Sequence, residues 1–277
     1  ATQGIALGYF ASTSNYAAIA IGSNATATGI SSTALGDTSI AEGDYSLAAG
    51  AFAAATGTSS TAVGDSAYAA GQQSTAVGST ALAEGDNSTA VGSAAYAAGL
   101  QSSAFGNNAN AVGDDSVAVG NGAYAGGYSS SAFGDGAQAL GNDSTALGQH
   151  TYASGYKSTA TGYNARATGG YSTANGANAN AAGYASVASG YNSSASGSAS
   201  TAVGNGASAS GDNSFAGGNG AKAIEASDVA LGNGAYARSS YGSEFGSDIA
   251  NGNGARADHP EHVADRLRQS RRVRIDG

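Results

Sequence analysis

The stretch Ser60-Thr61-Ala62-Val63-Gly64 followed by Asp65-Ser66-Ala67-Tyr68-Ala69-Ala70-Gly71 contains the pattern on which the fold depends. Glycine recurs every seven residues from Gly22 to Gly218 without a miss, and alternate glycines have different neighbours. The repeating unit is therefore 14 residues long and contains two half-turns. A fixed period of this kind is the signature of a solenoid, in which each repeat packs only on its neighbours.

Each half of the repeat predicts a short strand, because a few residues of alternating character precede a Gly where the chain must turn. In Thr61-Ala62-Val63, Ala62 points to one side of the strand, and Thr61 and Val63 point to the other. In Ala67-Tyr68-Ala69, both Ala point to the same side. The small residues must lie inside, since the coil is thin. We therefore expect an all-β, single-stranded parallel β-solenoid (β-roll) of 14-residue coils.

The register of the repeat delimits the solenoid. It runs from Gly8 to Gly232, and one further coil follows out of phase, because the pattern that begins at Asp228 returns at Asp248, twenty residues later. The six extra residues predict a loop near residues 238–247, inside a solenoid domain that spans residues 1–257. Asn15 and Glu225 replace Gly at the second glycine position. Because Asn tolerates a positive φ and Glu does so poorly, Glu225 marks a local irregularity.

Composition excludes several classes of protein. The chain has 277 residues, 45 Gly, no Cys, 10% charged residues and a net charge of −9. The absence of Cys excludes a disulfide scaffold and a Cys-based zinc site. The acidic balance argues against nucleic-acid binding, which requires surplus Lys and Arg. No stretch approaches the ~18 apolar residues of a membrane-spanning helix.

The outward side of the first strand of each coil is apolar along most of the chain. A stripe of this length exceeds what a soluble monomer exposes, and an Ala interior buries little area, so we expect self-association along it. One stripe per chain suits a closed cyclic assembly, for which three copies are natural. The predicted trimer interface comprises Ile5, Leu7, Ile19, Ile21, Leu35, Val63, Val77, Val91, Phe105, Val117, Val119, Phe133, Leu147, Val203, Val229 and Leu231.

The outward side of the second strand is mixed, and tyrosine is its distinctive residue. Tyr68, Tyr96, Tyr124 and Tyr152 occupy the same position in every second coil, roughly 9.6 Å apart. Rigid amphipathic rings are enriched in protein-binding surfaces, although Tyr is also simply a good residue for an exposed strand. The candidate ligand-binding surface consists of these four tyrosines together with Tyr156 and Tyr163 in turns.

Units such as Ser116-Val117-Ala118-Val119-Gly120, each followed by x-x-Ala-x-Ala-x-Gly, resemble the head repeats of YadA-like trimeric autotransporter adhesins of Gram-negative bacteria. The resemblance covers about residues 4–257. It implies a left-handed parallel β-roll packed as a homotrimer on the bacterial surface, anchored to the outer membrane through a stalk and a C-terminal β-barrel that are absent from this chain. It also implies attachment to host matrix proteins such as collagen, fibronectin or laminin, or to cells or other bacteria.

Residues 258–277 differ in composition from the repeats, since they hold five of the ten basic residues. Asp258 could cap a helix with Pro260 in its first turn, and Val263 and Leu267 are four residues apart. This basic segment is therefore either a helical start of a neck or stalk, or a disordered tail.

Catalytic chemistry has few candidate residues. The only histidines are His150, His259 and His262, and the segment Gly204-Asn205-Gly206 is a turn at the repeat phase rather than a phosphate loop. We expect no enzyme activity, cofactor or metal. The alternatives that remain are a β-solenoid that binds ice or crystal surfaces, since Thr61, Thr75 and Thr89 recur in phase, and the head of another surface or phage fibre.

The stripe turns polar at residues 159–189, where Thr161, Asn175 and Ser189 replace aliphatic residues. A weaker and wetter interface should open more often, so backbone amides in this stretch should exchange hydrogen fastest. Hydrogen exchange followed by mass spectrometry checks this prediction, and uniform protection along the repeats would contradict it.

Overall fold

The computed structural model describes residues 3–238, 248–257 and 263–265. Its chain divides into two compact units, residues 1–143 and residues 144–277. Each unit is a parallel β-solenoid with coils of 14 residues, except that Val229 pairs with Ile249, 20 residues on, in the second unit; the described residues contain no helix. The all-β solenoid expected from the repeat is thereby confirmed.

The first unit comprises ten coils among its described residues, each with a three-residue strand followed by a two-residue strand. Its strands β1 to β20, in chain order, are Ile5–Leu7, Ser12–Thr13, Ile19–Ile21, Thr26–Ala27, Thr33–Leu35, Ile40–Ala41, Leu47–Ala49, Ala54–Ala55, Thr61–Val63, Tyr68–Ala69, Thr75–Val77, Leu82–Ala83, Thr89–Val91, Tyr96–Ala97, Ser103–Phe105, Asn110–Ala111, Val117–Val119, Tyr124–Ala125, Ser131–Phe133 and Gln138–Ala139.

The second unit repeats the arrangement in eight described coils and then adds one more three-residue strand. Its strands β21 to β37 are Thr145–Leu147, Tyr152–Ala153, Thr159–Thr161, Arg166–Ala167, Thr173–Asn175, Asn180–Ala181, Val187–Ser189, Ser194–Ala195, Thr201–Val203, Ser208–Ala209, Phe215–Gly217, Lys222–Ala223, Val229–Leu231, Tyr236–Ala237, Ile249–Asn251, Arg256–Ala257 and Val263–Asp265.

Backbone hydrogen bonds join each coil to the next in constant register. In the first unit, β9 pairs with β11 so that Thr61 faces Thr75, Ala62 faces Ala76 and Val63 faces Val77. The bonds are short and regular: Thr61 N–H donates to Ser74 O at 2.9 Å, and Gly78 N–H donates to Val63 O at 2.8 Å. Because the offset equals the repeat length, equivalent side chains form columns along the stack.

Glycine is required where neighbouring coils approach each other. A Cβ on Gly64 would lie 2.5 Å from the carbonyl oxygen of Gly78 in the next coil, and Gly64 has a φ of +135°. At the second glycine position, a Cβ on Gly71 would lie 2.1 Å from Gly85 O, although φ is not in the left-handed range there. Coil stacking therefore disfavours side chains at both positions, which are glycine in every coil from Gly22 to Gly218.

We attributed the glycine at the second position to a positive φ, and this was wrong, because neither Asn15 nor Glu225 has a positive φ. The residue type at that position is restricted by close approach to the next coil. The residue 14 places after Glu225 is Ser239, which begins the stretch of residues 239–247 outside the described part of the chain. The predicted loop near residues 238–247 falls almost wholly in that stretch and stays a prediction.

The residues other than Gly that have a left-handed backbone conformation lie in the turns between strands. The second residue after each glycine usually has a φ near +55°, as at Ser66 and Gln73. Its amide points to the preceding coil, where Ser66 N–H donates to Ala51 O at 2.8 Å. In later coils this position after the first glycine is often Gly itself, as at Gly122 and Gly206. A left-handed residue other than Gly costs about 1–2 kcal/mol, so these turns are the less strained ones.

The core of each unit is built from alanine and serine. As expected, Ala62, Ala67 and Ala69 are completely buried, as are their equivalents in most coils. A fourth inward position, Ser60, was not predicted, and its equivalents from Ser32 to Ser214 are serine in every coil. Where hydrogen-bonded, this serine donates to the carbonyl three residues earlier, as Ser186 Oγ does to Gly183 O at 2.7 Å.

Aspartate replaces the core serine in the last two described coils. Asp228 and Asp248 are both completely buried. Asp228 accepts hydrogen bonds from the backbone N–H of Glu225 at 2.9 Å and of Asp248 at 3.2 Å. These bonds satisfy amides at the coil where the glycine pattern is interrupted, and the two carboxylate oxygens allow one side chain to accept both.

The basic segment 258–277 lies largely outside the described residues. Its three described residues, Val263–Asp265, form a strand that pairs in parallel with β35. The helix considered for this segment is therefore wrong at these residues, because the backbone continues the ladder of the preceding coil. For the rest of the segment the alternatives remain open.

Replacing Gly78 by Ala should destabilise the fold by more than about 2 kcal/mol, because the new Cβ would lie 2.5 Å from Gly92 O and φ is +133°. The matched control is Gly122→Ala, where no atom lies within 4 Å and φ is +60°. That change should cost only about 1 kcal/mol. Thermal unfolding followed by far-UV dichroism measures both, and equal losses would contradict the stacking argument.

Candidate functional site

The three-residue strands of both units carry apolar side chains on their outward face, as the sequence predicted. We call this set of sixteen residues, Ile5 to Leu231 as given above, the apolar stripe. None of its members is buried, and every one lies at the first or third position of its strand. Leu7 is 64% exposed and Leu147 is 48% exposed.

No large aliphatic or aromatic side chain is completely buried among the described residues. The largest that are fully enclosed are Thr151, Asp228 and Asp248, followed by serines. Essentially all of the hydrophobic surface beyond alanine methyl groups is therefore presented outwards. This distribution is unusual, because Ile, Leu, Val and Phe are normally the residues found inside.

The two-residue strands carry the second candidate surface. In the first unit, Tyr68, Tyr96 and Tyr124 are the first residues of β10, β14 and β18, and we call them the tyrosine row. Between them on the same face lie Leu82 and Asn110. Tyr68 and Tyr124 are 37% and 36% exposed, so the row is half-buried along its base and open above.

The rings of the row are held by their surroundings. A Cβ on Gly126 would lie 2.6 Å from Cε1 of Tyr124, so this ring lies directly over a residue that has no side chain. The hydroxyl of Tyr96 donates to Glu84 Oε2 at 2.7 Å. That hydrogen bond, together with burial and the negative charge of Glu84, raises the pKa of Tyr96 above its ordinary value.

The remaining predicted tyrosines lie in the second unit and do not form one surface. Tyr152 continues the strand position, and the guanidinium of Arg166 lies 4.8 Å from the centre of its ring. Tyr156 lies in the turn after the second glycine, whereas Tyr163 lies in the turn after the first. The ring of Tyr163 meets His150, with the ring centres 6.4 Å apart.

A cluster of three tyrosines was only partly anticipated. Tyr156 contacts Tyr171 edge to face with ring centres 5.3 Å apart, and Tyr171 contacts Tyr184 at 5.5 Å. The site prediction included Tyr156 alone. The other two could have been found from their positions in the repeat. Tyr184 lies two repeats after Tyr156, and Tyr171 lies one repeat and one residue after it.

The charge of the first unit is wholly negative. Residues 1–143 contain ten carboxylates and neither Lys nor Arg. Seven of these acids lie in or beside the turn after the second glycine: Glu42, Asp44, Glu84, Asp86, Asp114, Asp115 and Asp143. The unit therefore disfavours anionic partners and favours cationic ones.

Several of these carboxylates also hold the coils together. Asp44 accepts from the N–H of Ile30 at 2.8 Å, and Asp86 accepts from the N–H of Gln72 at 2.8 Å. Each bond satisfies a turn amide of the preceding coil. Asp115 lies beside Tyr128, and its hydrogen bond and charge raise the pKa of that tyrosine.

Catalytic and metal-binding groups are not brought together in the described residues. His150 lies in a surface turn beside Tyr163, and no group of three His, Asp or Glu side chains in the described ranges could hold a metal ion. The loop candidate Gly204-Asn205-Gly206 is a turn whose Gly206 N–H donates to Tyr191 O at 2.8 Å. Residues His259 and His262 lie outside the described part.

Within the parts of the chain that the structure describes, no helix has the length and apolarity needed to cross a membrane.

Parallel coils with an alanine core and outward apolar and aromatic faces define a protein of the parallel β-solenoid class. Comparison with known families identifies the particular one: the YadA head domain repeat matches segments that together cover most of residues 1–221. The chain therefore belongs to the YadA head family, whose members are surface adhesins anchored to the outer membrane and form no known enzyme family. No curated protein matches the chain.

Glu84→Gln should lower the pKa of Tyr96 towards its ordinary value, because it replaces the charged carboxylate that accepts the hydrogen bond of the hydroxyl. In the native protein the raised pKa gives a stabilisation that is complete below the ordinary tyrosine pKa of about 10 and is lost as pH rises through the folded value. Titration of the Tyr96 ring signals by NMR checks this.

Glu42→Gln is the matched control, since Glu42 occupies the same turn position but faces Ala54 where Glu84 faces Tyr96. It should leave the titration of Tyr96 unchanged. An identical Tyr96 curve in the Glu84 variant would show that the hydrogen bond does not persist in solution.

Proposed function

We propose that this chain is the head of a bacterial surface adhesin, in which three copies pack side by side as left-handed β-rolls along the apolar stripe and attach the cell to its target. Family membership supports the adhesin role. The single observation that carries the assembly is the outward placement of every large hydrophobic residue of the stripe.

A single chain leaves a large apolar area exposed to water. Interiors of alanine and serine gain little from burial, at about 25 cal/mol per Å² of apolar surface. Stripe residues such as Leu7, Phe105 and Phe133 remain exposed in a single chain. Contact between stripes would remove these groups from water, and a threefold arrangement would close the assembly without leaving an unpaired stripe.

The surfaces left outside such a trimer are the two-residue strands and the turns. They carry the tyrosine row and the cluster of Tyr156, Tyr171 and Tyr184, and each would appear three times. Repetition on a rigid support allows many weak contacts to add, so binding would need no deep pocket. The targets we propose are host matrix proteins such as collagen, fibronectin or laminin, cells or other bacteria.

The experiment that tests the assembly is sedimentation equilibrium of residues 1–257. We expect a trimer for the native sequence and a shift towards monomer for Phe105→Ser with Phe133→Ser, because both rings lie on the stripe. Phe10→Ser with Phe52→Ser is the matched control. Those rings are exposed in turns, so their removal should leave the mass unchanged.

Binding to immobilised collagen, fibronectin and laminin is measured on the same samples. Trimer and matrix binding together support the proposal. A folded monomer would leave the stripe exposed and favour the alternative of an ice- or crystal-surface binder, for which thermal hysteresis is the measurement. A trimer that binds no matrix protein, cell or bacterium would contradict the adhesin role.

A further inference from the structure

We propose that the tyrosine row of the first unit, Tyr68, Tyr96 and Tyr124, binds a single proline-rich polypeptide in the polyproline II conformation, laid along the stack of coils. This inference rests on the proposed adhesin function, because it assigns a ligand class to one of its outward faces. It starts from a match between two repeat lengths, one in the protein and one in the ligand.

The row has a period fixed by the fold. Its tyrosines occupy the same position in every second coil and are joined through strands in constant register. With strands about 4.8 Å apart, the backbone positions that carry the rings recur roughly every 9.6 Å. A polyproline II helix has three residues per turn and rises about 3.1 Å per residue, so one edge recurs about every 9.3 Å.

The two periods differ by only about 0.3 Å per step. Over the three rings of the row, the accumulated difference stays well below the width of a proline ring. A proline at every third residue of the ligand can therefore contact each tyrosine in turn. An extended strand or a helix, with rises of about 3.3 Å and 1.5 Å per residue and other periods, does not match the row in this way.

The three rings of the row are separated by smaller side chains. Leu82 and Asn110 lie between the tyrosines, and Asn110 Nδ2 donates to Asn108 O at 2.7 Å. Proline-rich segments bind aromatic-lined surfaces in other proteins, because the ligand is already ordered before binding.

The protein side is also ordered before binding. Tyr124 lies over Gly126, and Tyr96 is held by Glu84, so two of the three rings lose little side-chain freedom when a ligand arrives. Both restraints come from the turn that follows the two-residue strand. They leave the ring of Tyr124 36% exposed.

The negative charge of the first unit further restricts the class of ligand. Glu84 and Asp86 lie in the turn beside Tyr96, and the unit contains no Lys or Arg. A proline-rich segment flanked by basic residues is therefore favoured over a neutral or acidic one, and its binding should weaken as salt screens the interaction.

A single chain fits the row better than a triple helix does. In a triple helix three polyproline II chains wind around one another, so no chain keeps one edge towards a straight row of rings. The single chain and the triple helix both present proline rings on polyproline II backbones, and the experiment distinguishes the two ligands.

The experiment measures the affinity of the folded head for fluorescent peptides by anisotropy at low and moderate salt. The probes are nine consecutive prolines, the same peptide followed by two arginines, and a triple-helical peptide of Pro-Pro-Gly repeats. We expect the arginine-bearing single chain to bind most tightly, with affinity falling as salt is raised.

Variants assign the binding to the row. Tyr68→Ser, Tyr96→Ser and Tyr124→Ser together should weaken binding at least about tenfold, whereas Phe at the three positions should keep it within about threefold because the rings remain. The matched control replaces Tyr16, Tyr45 and Tyr128, exposed turn residues of the same unit, by Ser and should change nothing. Far-UV dichroism confirms that each variant is folded.

Peptides that differ only in the spacing of their prolines test whether the period of the row selects the ligand. Two nonapeptides of equal composition, Pro-Ala-Ala repeated three times and three prolines followed by six alanines, should differ, with the periodic one binding more tightly. Equal affinities, loss of binding in the off-row control, or stronger binding of the triple helix would each overturn the proposal. If no peptide binds while matrix binding persists, this inference fails and the adhesin function stands.

Discussion

Close stacking of coils is the constraint on which the rest of this structure depends. Within each unit, backbone hydrogen bonds of about 2.8–2.9 Å join neighbouring coils, and the two glycines of most coils allow backbones to approach where a Cβ would collide with a carbonyl oxygen. The constant offset of 14 residues turns each position into a column. One residue type per column therefore suffices to specify a core, a stripe or a row.

That constraint also decides where hydrophobic residues can go. A coil with strands of three and two residues encloses mainly alanine and serine, and nothing larger than Thr151, Asp228 and Asp248 among the described residues, so Ile, Leu, Val and Phe point outwards. Both candidate surfaces result from this, since the three-residue strands carry the apolar stripe and the two-residue strands carry the tyrosines. A fold that cannot bury its Ile, Leu and Phe alone is suited to assembly and to binding over long faces.

Much of this architecture could be predicted from the sequence, because the period of two within a strand and of 14 along the chain assign a direction to Ala62, Val63 and Tyr68. The buried Ser60 column was missed because it precedes the strand, where alternation gives no direction, although its recurrence was visible. The requirement at the second glycine was misassigned to backbone conformation, since contacts between coils are not encoded locally. The bond between Tyr96 and Glu84 joins neighbouring coils and depends on side-chain reach, which a pattern of residue types does not contain.

Because each coil in a unit bonds only to the coils before and after it, the structure also bears on how such a gene can change. An in-frame duplication of one repeat inserts a coil whose columns continue those on either side, and a deletion closes the ladder again. Each event changes the height of a unit by about 4.8 Å and leaves every other contact in place. The length of the displayed surface can thus change by gain or loss of a repeat, without a new core having to evolve.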